Sequence, residues 1–119
     1  MILHTEKGKS GEELAAAYLI KQNFEIISCN WRFSRYEIDI IAIKNETVHF
    51  IEVKTRHSDN FGYPEQSVDR KKFKNLQKAA AAFLSRFDDA VKVQYDVLSI
   101  RILPGKEIEY FFIEDVYIY

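Results

Sequence analysis

The chain has 119 residues, 47% of them hydrophobic, with 17 Lys and Arg against 18 Asp and Glu for a formal net charge of -1. That length suits one domain with a sizeable core, so a single domain over residues 1–119 is expected. The near-neutral balance excludes a uniformly basic nucleic-acid coat and the lone Cys29 excludes an internal disulfide; with neither a signal peptide nor a bilayer-spanning apolar run expected, the setting implied is a reducing cytoplasm without membrane contact.

In chain order, Ser10-Gly11-Glu12-Glu13 has the form of a capping box, which predicts a first helix from Gly11 to Asn23 burying Leu14, Tyr18 and part of the alanine run. A strand from Phe24 to Phe33 follows. Glu37-Ile38-Asp39-Ile40-Ile41-Ala42-Ile43 and Val48-His49-Phe50-Ile51-Glu52-Val53-Lys54 are rich in β-branched residues and are separated by a polar break, the pattern of a β-hairpin. The stretch from Thr55 to Gln66 carries Asp59-Asn60, Gly62 and Pro64 and reads as a long loop. Phe73, Leu76, Ala80, Phe83, Leu84 and Phe87 recur at helical spacing, predicting a second helix from Ser67 to Phe87. Strands over Tyr95–Leu103 and Ile108–Ile113 flank Pro104-Gly105-Lys106. The order α-β-β-β-α-β-β suits a mixed β-sheet flanked by helices, an α/β fold.

The hairpin carries the chemistry. With its turn centred on Asn45-Glu46, Ile43 faces Val48, Ile41 faces Phe50, Asp39 faces Glu52 and Glu37 faces Lys54, all on one side of the sheet. Two carboxylates placed opposite each other repel, by about 0.2–1 kcal/mol when solvated and by more among apolar neighbours. A cation between them removes that cost. Carboxylate oxygens suit Mg²⁺ or Mn²⁺, which keep several positions for water and phosphate, and a lysine on the same face can orient the attacking water. Those are the parts of a phosphodiester-hydrolysing site; the ordinary alternative is the solvated face of a half-exposed hairpin with Glu37 and Lys54 as a cross-strand ion pair. The apolar remainder of that face, Ile41, Ile43, Val48 and Phe50, favours a site.

Asp39, twelve residues, then Glu52-Val53-Lys54 resembles the PD-(D/E)xK nuclease core. Glu37-Ile38-Asp39 with Phe50-Ile51-Glu52-Val53-Lys54-Thr55-Arg56 closely resembles the bacterial YraN-like family within it. The likeness extends through Gly8, Gly11, Glu12 and Ala16, then Asn30 and Arg32, then Phe61-Gly62 and Lys71. One departure is Tyr36, which stands where that family usually has glycine. The resemblance implies a restriction-endonuclease-like fold related to Holliday junction resolvases, and an endonuclease site with Asp39, Glu52 and Lys54 as catalytic residues. It implies Mg²⁺ or Mn²⁺ on Asp39, Glu52 and the Val53 carbonyl, a nucleic-acid partner with DNA ahead of RNA, a role in repair or recombination, and a homodimer. A non-catalytic nucleic-acid-binding or scaffold module keeping the same fold is the alternative.

Other residues keep two readings each. Glu12 matches an acidic family position near the metal and is equally explained by the dipole of the first helical turn. Glu37 is an outer acid of the site or the partner of Lys54. Arg32 and Arg56 are phosphate-gripping or plain surface arginines. Arg70, Lys71, Lys72, Lys74 and Lys78 cluster on the second helix, with Lys71 and Lys74 as candidate nucleic-acid contacts or part of a solvated face. His4, His49 and His57 lack zinc spacing with Cys29, and His49 falls on the opposite strand face from Glu52. The aromatic tail of Tyr110, Phe111, Phe112, Tyr117 and Tyr119 stacks on bases, packs in the core or forms a dimer contact.

Overall fold

A computed structural model describes residues 10–57, 70–87 and 91–116. Among the described residues seven elements follow in order: α1 (Gly11–Lys21), β1 (Glu25–Phe33), β2 (Tyr36–Lys44), β3 (Thr47–Arg56), α2 (Arg70–Leu84), β4 (Lys92–Arg101) and β5 (Glu109–Ile113). This is the expected mixed α/β order, compatible with a restriction-endonuclease-like fold. β3 runs on through Thr55 and Arg56, which the loop was expected to include. The rest of that loop from 58 to 66, and the expected helix start at 67–69, lie outside the described residues.

The capping box forms. Ser10 Oγ accepts the Glu13 amide at 3.2 Å, and Glu13 Oε1 accepts the Ser10 amide at 2.8 Å. Two of the N–H groups that a helix start leaves unpaired are thereby satisfied.

The strands form one five-stranded sheet in the order β1-β2-β3-β4-β5. β3 and β4 are parallel and the other neighbours antiparallel, because α2 carries the chain back across the sheet between β3 and β4. Each helix covers one face. Leu14, Ala15 and Leu19 of α1 pack on Ile40, Ala42, Ile51, Leu98 and Ile100. Ala79, Ala80 and Phe83 of α2 pack on Ile38, Ile41, Val48 and Phe50.

Ile38 departs from strict alternation, which would place it with Ile40 on the α1 face. The neighbouring strand is irregular here: the register of β1 against β2 shifts between Ile26 and Ser28, and Asn30 is left-handed with φ 54 between the pairs Cys29↔Ile40 and Trp31↔Ile38. Such irregularities bend the strand that carries them and increase the local twist. Here Ile38 joins Trp31 and Phe83 on the α2 side, next to Asp39.

On the α1 face, His49 Nδ1 lies 2.6 Å from Asp96 Oδ2. Asp96 Oδ1 accepts from Gln94 Nε2 at 2.9 Å and from the Asp115 amide at 3.0 Å. A fully buried acid is thus partnered on both oxygens. His49 does point away from Glu52. In the C-terminal aromatic group, Tyr110 stacks on Tyr18 at 4.7 Å and Phe112 meets Phe24 edge-on at 5.7 Å, which is core packing, while Phe111 is exposed. Tyr117 and Tyr119 lie outside the described residues.

The β2–β3 turn is centred on Asn45 (φ 51) and Glu46 (φ 65), both left-handed as a two-residue type I′ hairpin requires. Asn45 tolerates that conformation, whereas Glu46 bears the steric cost of a side chain there. Glu46→Gly should therefore stabilise the protein by about 1 kcal/mol, seen as a higher midpoint in urea or thermal unfolding.

Candidate functional site

β2 and β3 are paired from Lys44↔Thr47 to Ile40↔Ile51, in the expected register. Beyond that point the two strands part. β2 continues against β1 through Trp31↔Ile38 and Arg32↔Glu37, and β3 against β4 from Glu52↔Val97 to Arg56↔Arg101. Where they fork, the Val53 amide donates to Asp39 Oδ2 at 2.8 Å. A side-chain carboxylate takes up the bond that a backbone carbonyl would accept in a continued ladder. The N–H and C=O of one strand residue project to the same side, so the Val53 carbonyl is turned toward the same gap.

The fork opens into a cleft of about 390 Å³ lined by Arg35, Tyr36, Glu37, Asp39, Glu52, Val53, Lys54, Lys72 and Asn75 among others. Inside it, Glu52 Oε2 lies 2.5 Å from Lys54 Nζ and 2.6 Å from Lys72 Nζ. Lys54 comes from two residues along β3, and Lys72 from α2. Lys72, Asn75, Leu76 and Ala79 are three or four residues apart and share one side of the helix, which brings a lysine to the sheet beside a buried stripe.

Electrostatics separates the two acids. Burial pushes the Asp39 carboxyl above its usual range; the Val53 amide opposes this, and the charges of Glu52, Glu37 and Glu12 add to it. Burial pulls Glu52 the same way, but the hydrogen bonds and charges of Lys54 and Lys72 outweigh it and hold Glu52 below its usual value. Lys54 is lowered, first by burial and then by Lys72, against the pull of Glu52. Lys72 is raised because Glu52 outweighs its burial. Glu52 is therefore a firmly ionised, lysine-bound carboxylate, whereas Asp39 is a desolvated one with its strongest support in a single amide.

Asp39, Glu52, Val53 and Lys54 are thus brought together. Glu12 is exposed in the first turn of α1, and its charge reaches Asp39. α1 can begin so near β3 because residue 11 is glycine: a Cβ there would collide with Thr55 Oγ1. Glu37 lines the cleft but does not face Lys54. The ladder ends before Asp39 could pair with Glu52 or Glu37 with Lys54; Asp39 turns to the Val53 amide, and Glu37 lies 3.5 Å from the exposed Arg32. Neither Arg32 nor Arg56 lines the cleft, and Arg56 stands opposite Arg101 at the far end of β3. Lys71 and Lys74 are exposed on α2, and their neighbour Lys72 enters in their place because of the helical phase. Arg35, from the β1–β2 turn, and Asn75 also line the cleft and had not been singled out.

Among the described residues no group of three or more His, Cys, Asp or Glu side chains is placed to hold a metal ion. Two carboxylates and a backbone carbonyl remain a sufficient hard-oxygen set for Mg²⁺, which keeps water in its other positions. The raised Asp39 is consistent with that chemistry, since a desolvated carboxylate gains most from a cation.

An α/β protein with acids and lysines gathered where two strands fork is the class defined so far. The chain belongs to the family described as uncharacterised protein family UPF0102, the YraN-like family, whose model matches residues 11–100. That span reaches from the first residue of α1 into β4 and includes every cleft residue named above. A UPF0102 protein of Chlorobaculum tepidum is 43% identical over 101 residues, covering 84% of this chain and 78% of the relative. Another, from Christiangramia forsetii, is 38% identical over 120 residues, covering 100% of this chain and 99% of the relative. A third, from Syntrophomonas wolfei, is 40% identical over 107 residues, covering 87% and 91%. Among the described residues no helix is long and apolar enough to cross a membrane.

Asp39→Asn should stabilise the metal-free protein at neutral pH. It removes a desolvated charge and keeps an oxygen for the Val53 amide. A carboxyl with a raised folded-state pKa is least unfavourable when protonated, so its cost builds up as pH rises from the reference carboxyl value and levels off above the folded one. The gain in melting temperature should accordingly be larger at about pH 7 than at about pH 3, one condition above and one below the reference carboxyl pKa; equal gains at both would contradict the burial argument.

Proposed function

We propose that this protein is a single-domain, metal-dependent endonuclease of the PD-(D/E)xK type that hydrolyses nucleic-acid phosphodiesters, DNA ahead of RNA. The observation that carries the reading is the convergence of Asp39, Glu52 and Lys54 in one cleft, joined there by Lys72. Asp39, Glu52 and the Val53 carbonyl are the groups to hold Mg²⁺ or Mn²⁺. The chemistry a bound cation supplies there is neutralisation of phosphate charge and a more acidic water. Lys54, lowered in pKa and held on Glu52, is the group to orient the attacking water and to steady charge developing on the phosphate. Lys72 keeps Glu52 ionised from the opposite wall and offers a second ammonium to the phosphate. Branched DNA in repair or recombination is the substrate context suggested by the family resemblance.

A second reading is a nucleic-acid-binding or scaffold module that keeps the fold without catalysis. It is favoured by the engagement of Glu52 Oε2 with two ammonium groups, which neutralise that acid without any metal ion.

Incubating the protein with branched, single-stranded and duplex DNA in Mg²⁺ and in Mn²⁺ separates the two. Cleavage by the wild type should fall by about 10²–10⁴-fold in Asp39→Asn and Lys54→Ala, with circular dichroism showing both variants folded. Lys72→Ala should lose less, because Lys54 still holds Glu52. Wild-type protein that leaves every substrate intact, yet binds them in a salt-sensitive way that survives Asp39→Asn, would establish the binding module instead.

A further inference from the structure

Beyond the acids, positive charge gathers around one ring at the rim of the cleft, where Arg35 and Tyr36 belong to the lining and Lys78 stands outside it against Tyr36. The Arg35 guanidinium carbon lies 5.5 Å from the centroid of Tyr36, and Lys78 Nζ lies 5.7 Å from the same centroid. Arg35 comes from the β1–β2 turn and Lys78 from α2, about one helical turn beyond Asn75. Among the described residues neither cation makes an ion pair. The nearby acids are engaged elsewhere: Glu37 with Arg32, Glu52 with Lys54 and Lys72, and Asp39 with the Val53 amide. Two like charges drawn from distant parts of the chain to one phenol repel each other, and an anion bound between them relieves that repulsion. The phenol supplies a third donor, and its acidity points the same way: against a desolvation effect, Arg35 and Lys78 bring the Tyr36 hydroxyl below its usual pKa.

We propose that Arg35, Tyr36 and Lys78 form a second phosphate subsite at the cleft rim, which holds the phosphate next to the one cleaved. The inference rests on the nuclease reading for the identity of the cleaved phosphate. Its content is the class of ligand: a strand carrying at least two consecutive phosphates, bound at Lys54 and Lys72 on the floor and at Arg35 and Lys78 on the rim. Planar, forked Arg35 and the Tyr36 hydroxyl suit a phosphate's oxygens, while Lys78 adds charge. Without the rim a lone phosphomonoester would fill the site as well as a strand does. With it, chain length becomes a selection criterion.

The test is fluorescence anisotropy with a labelled single-stranded DNA oligonucleotide in EDTA, where no metal-dependent cleavage occurs, over a series of salt concentrations. Relative to wild type, the Arg35→Gln/Lys78→Gln double variant should bind about tenfold or more weakly at low salt. Its slope of log affinity against log salt should be shallower by about 1.4, the counterion release lost with two phosphate contacts to a single strand. Tyr36→Phe should lose less, and Lys106→Gln, on the exposed β4–β5 turn, should match wild type. Thermal melts confirm folding, and Lys78→Gln alone, on the exposed helix surface, serves if the double variant melts early. Wild-type affinity and slope in the double variant would overturn the subsite while leaving nuclease activity untouched. Loss of binding in the double variant, together with a wild type that cleaves nothing in Mg²⁺ or Mn²⁺, would support the rim as a phosphate site and reject the nuclease reading. A wild type that binds no oligonucleotide at low salt would overturn the subsite outright.

Discussion

Everything at the cleft depends on one hydrogen bond, from the Val53 amide to Asp39 Oδ2. An antiparallel ladder needs a carbonyl opposite that amide, and here an acid side chain accepts instead. The exchange ends the pairing of β2 with β3 at Ile40↔Ile51 without leaving the amide unsatisfied. Each strand is then free to follow its other neighbour, and the gap between them becomes the cleft. The same bond fixes the Asp39 carboxylate in a desolvated place. The acid held in the cleft and the terminus of the ladder are thus a single residue.

The surrounding charges show why such a site costs stability. Asp39 is raised by burial and by three neighbouring acids, while Glu52 is lowered by two lysines. Active sites commonly hold groups in environments that folding alone would not favour. The acids are tolerated because the rest of the sheet is well covered. Phe50, Ile41 and Ile40 are fully buried next to the fork, and both faces carry a helix.

Much of this was legible in the residues. The hairpin register followed from the polar break at Asn45-Glu46, and it holds as far as the ladder does. The capping box was visible because its partners are local in sequence. Neither Asp39 opposite Glu52 nor Glu37 opposite Lys54 was obtained as a strand pair, because period-two reasoning continues a ladder indefinitely and cannot see the acid that ends it. The displacement of Ile38 to the α2 face was equally hidden, since strict alternation assumes a regular strand paired with a regular neighbour, and β1 beside it is shifted in register and left-handed at Asn30. Choosing Lys71 and Lys74 over Lys72 was a matter of helical phase. The stripe through Phe73, Ala80 and Phe83 was clear, but Lys72 lies at its edge, and only the placement of the helix on the sheet decides which basic residue turns inward. Arg35 and Lys78 meet at Tyr36 through tertiary packing alone.

The connectivity of the sheet bears on the order in which the molecule assembles. β1, β2 and β3 are joined by tight turns, so their antiparallel pairing closes over short stretches of chain. The parallel pairing of β3 with β4, which joins Thr47 to Lys92 and Arg56 to Arg101, must wait for the crossover that contains α2. Contacts between sequence neighbours form before distant ones, because closing a longer loop costs more chain entropy. The acids therefore meet on the early meander together with Lys54, and Lys72 arrives with the late helix. Docking of α2 is then drawn by charge as well as by its apolar stripe, and added salt weakens that attraction during folding.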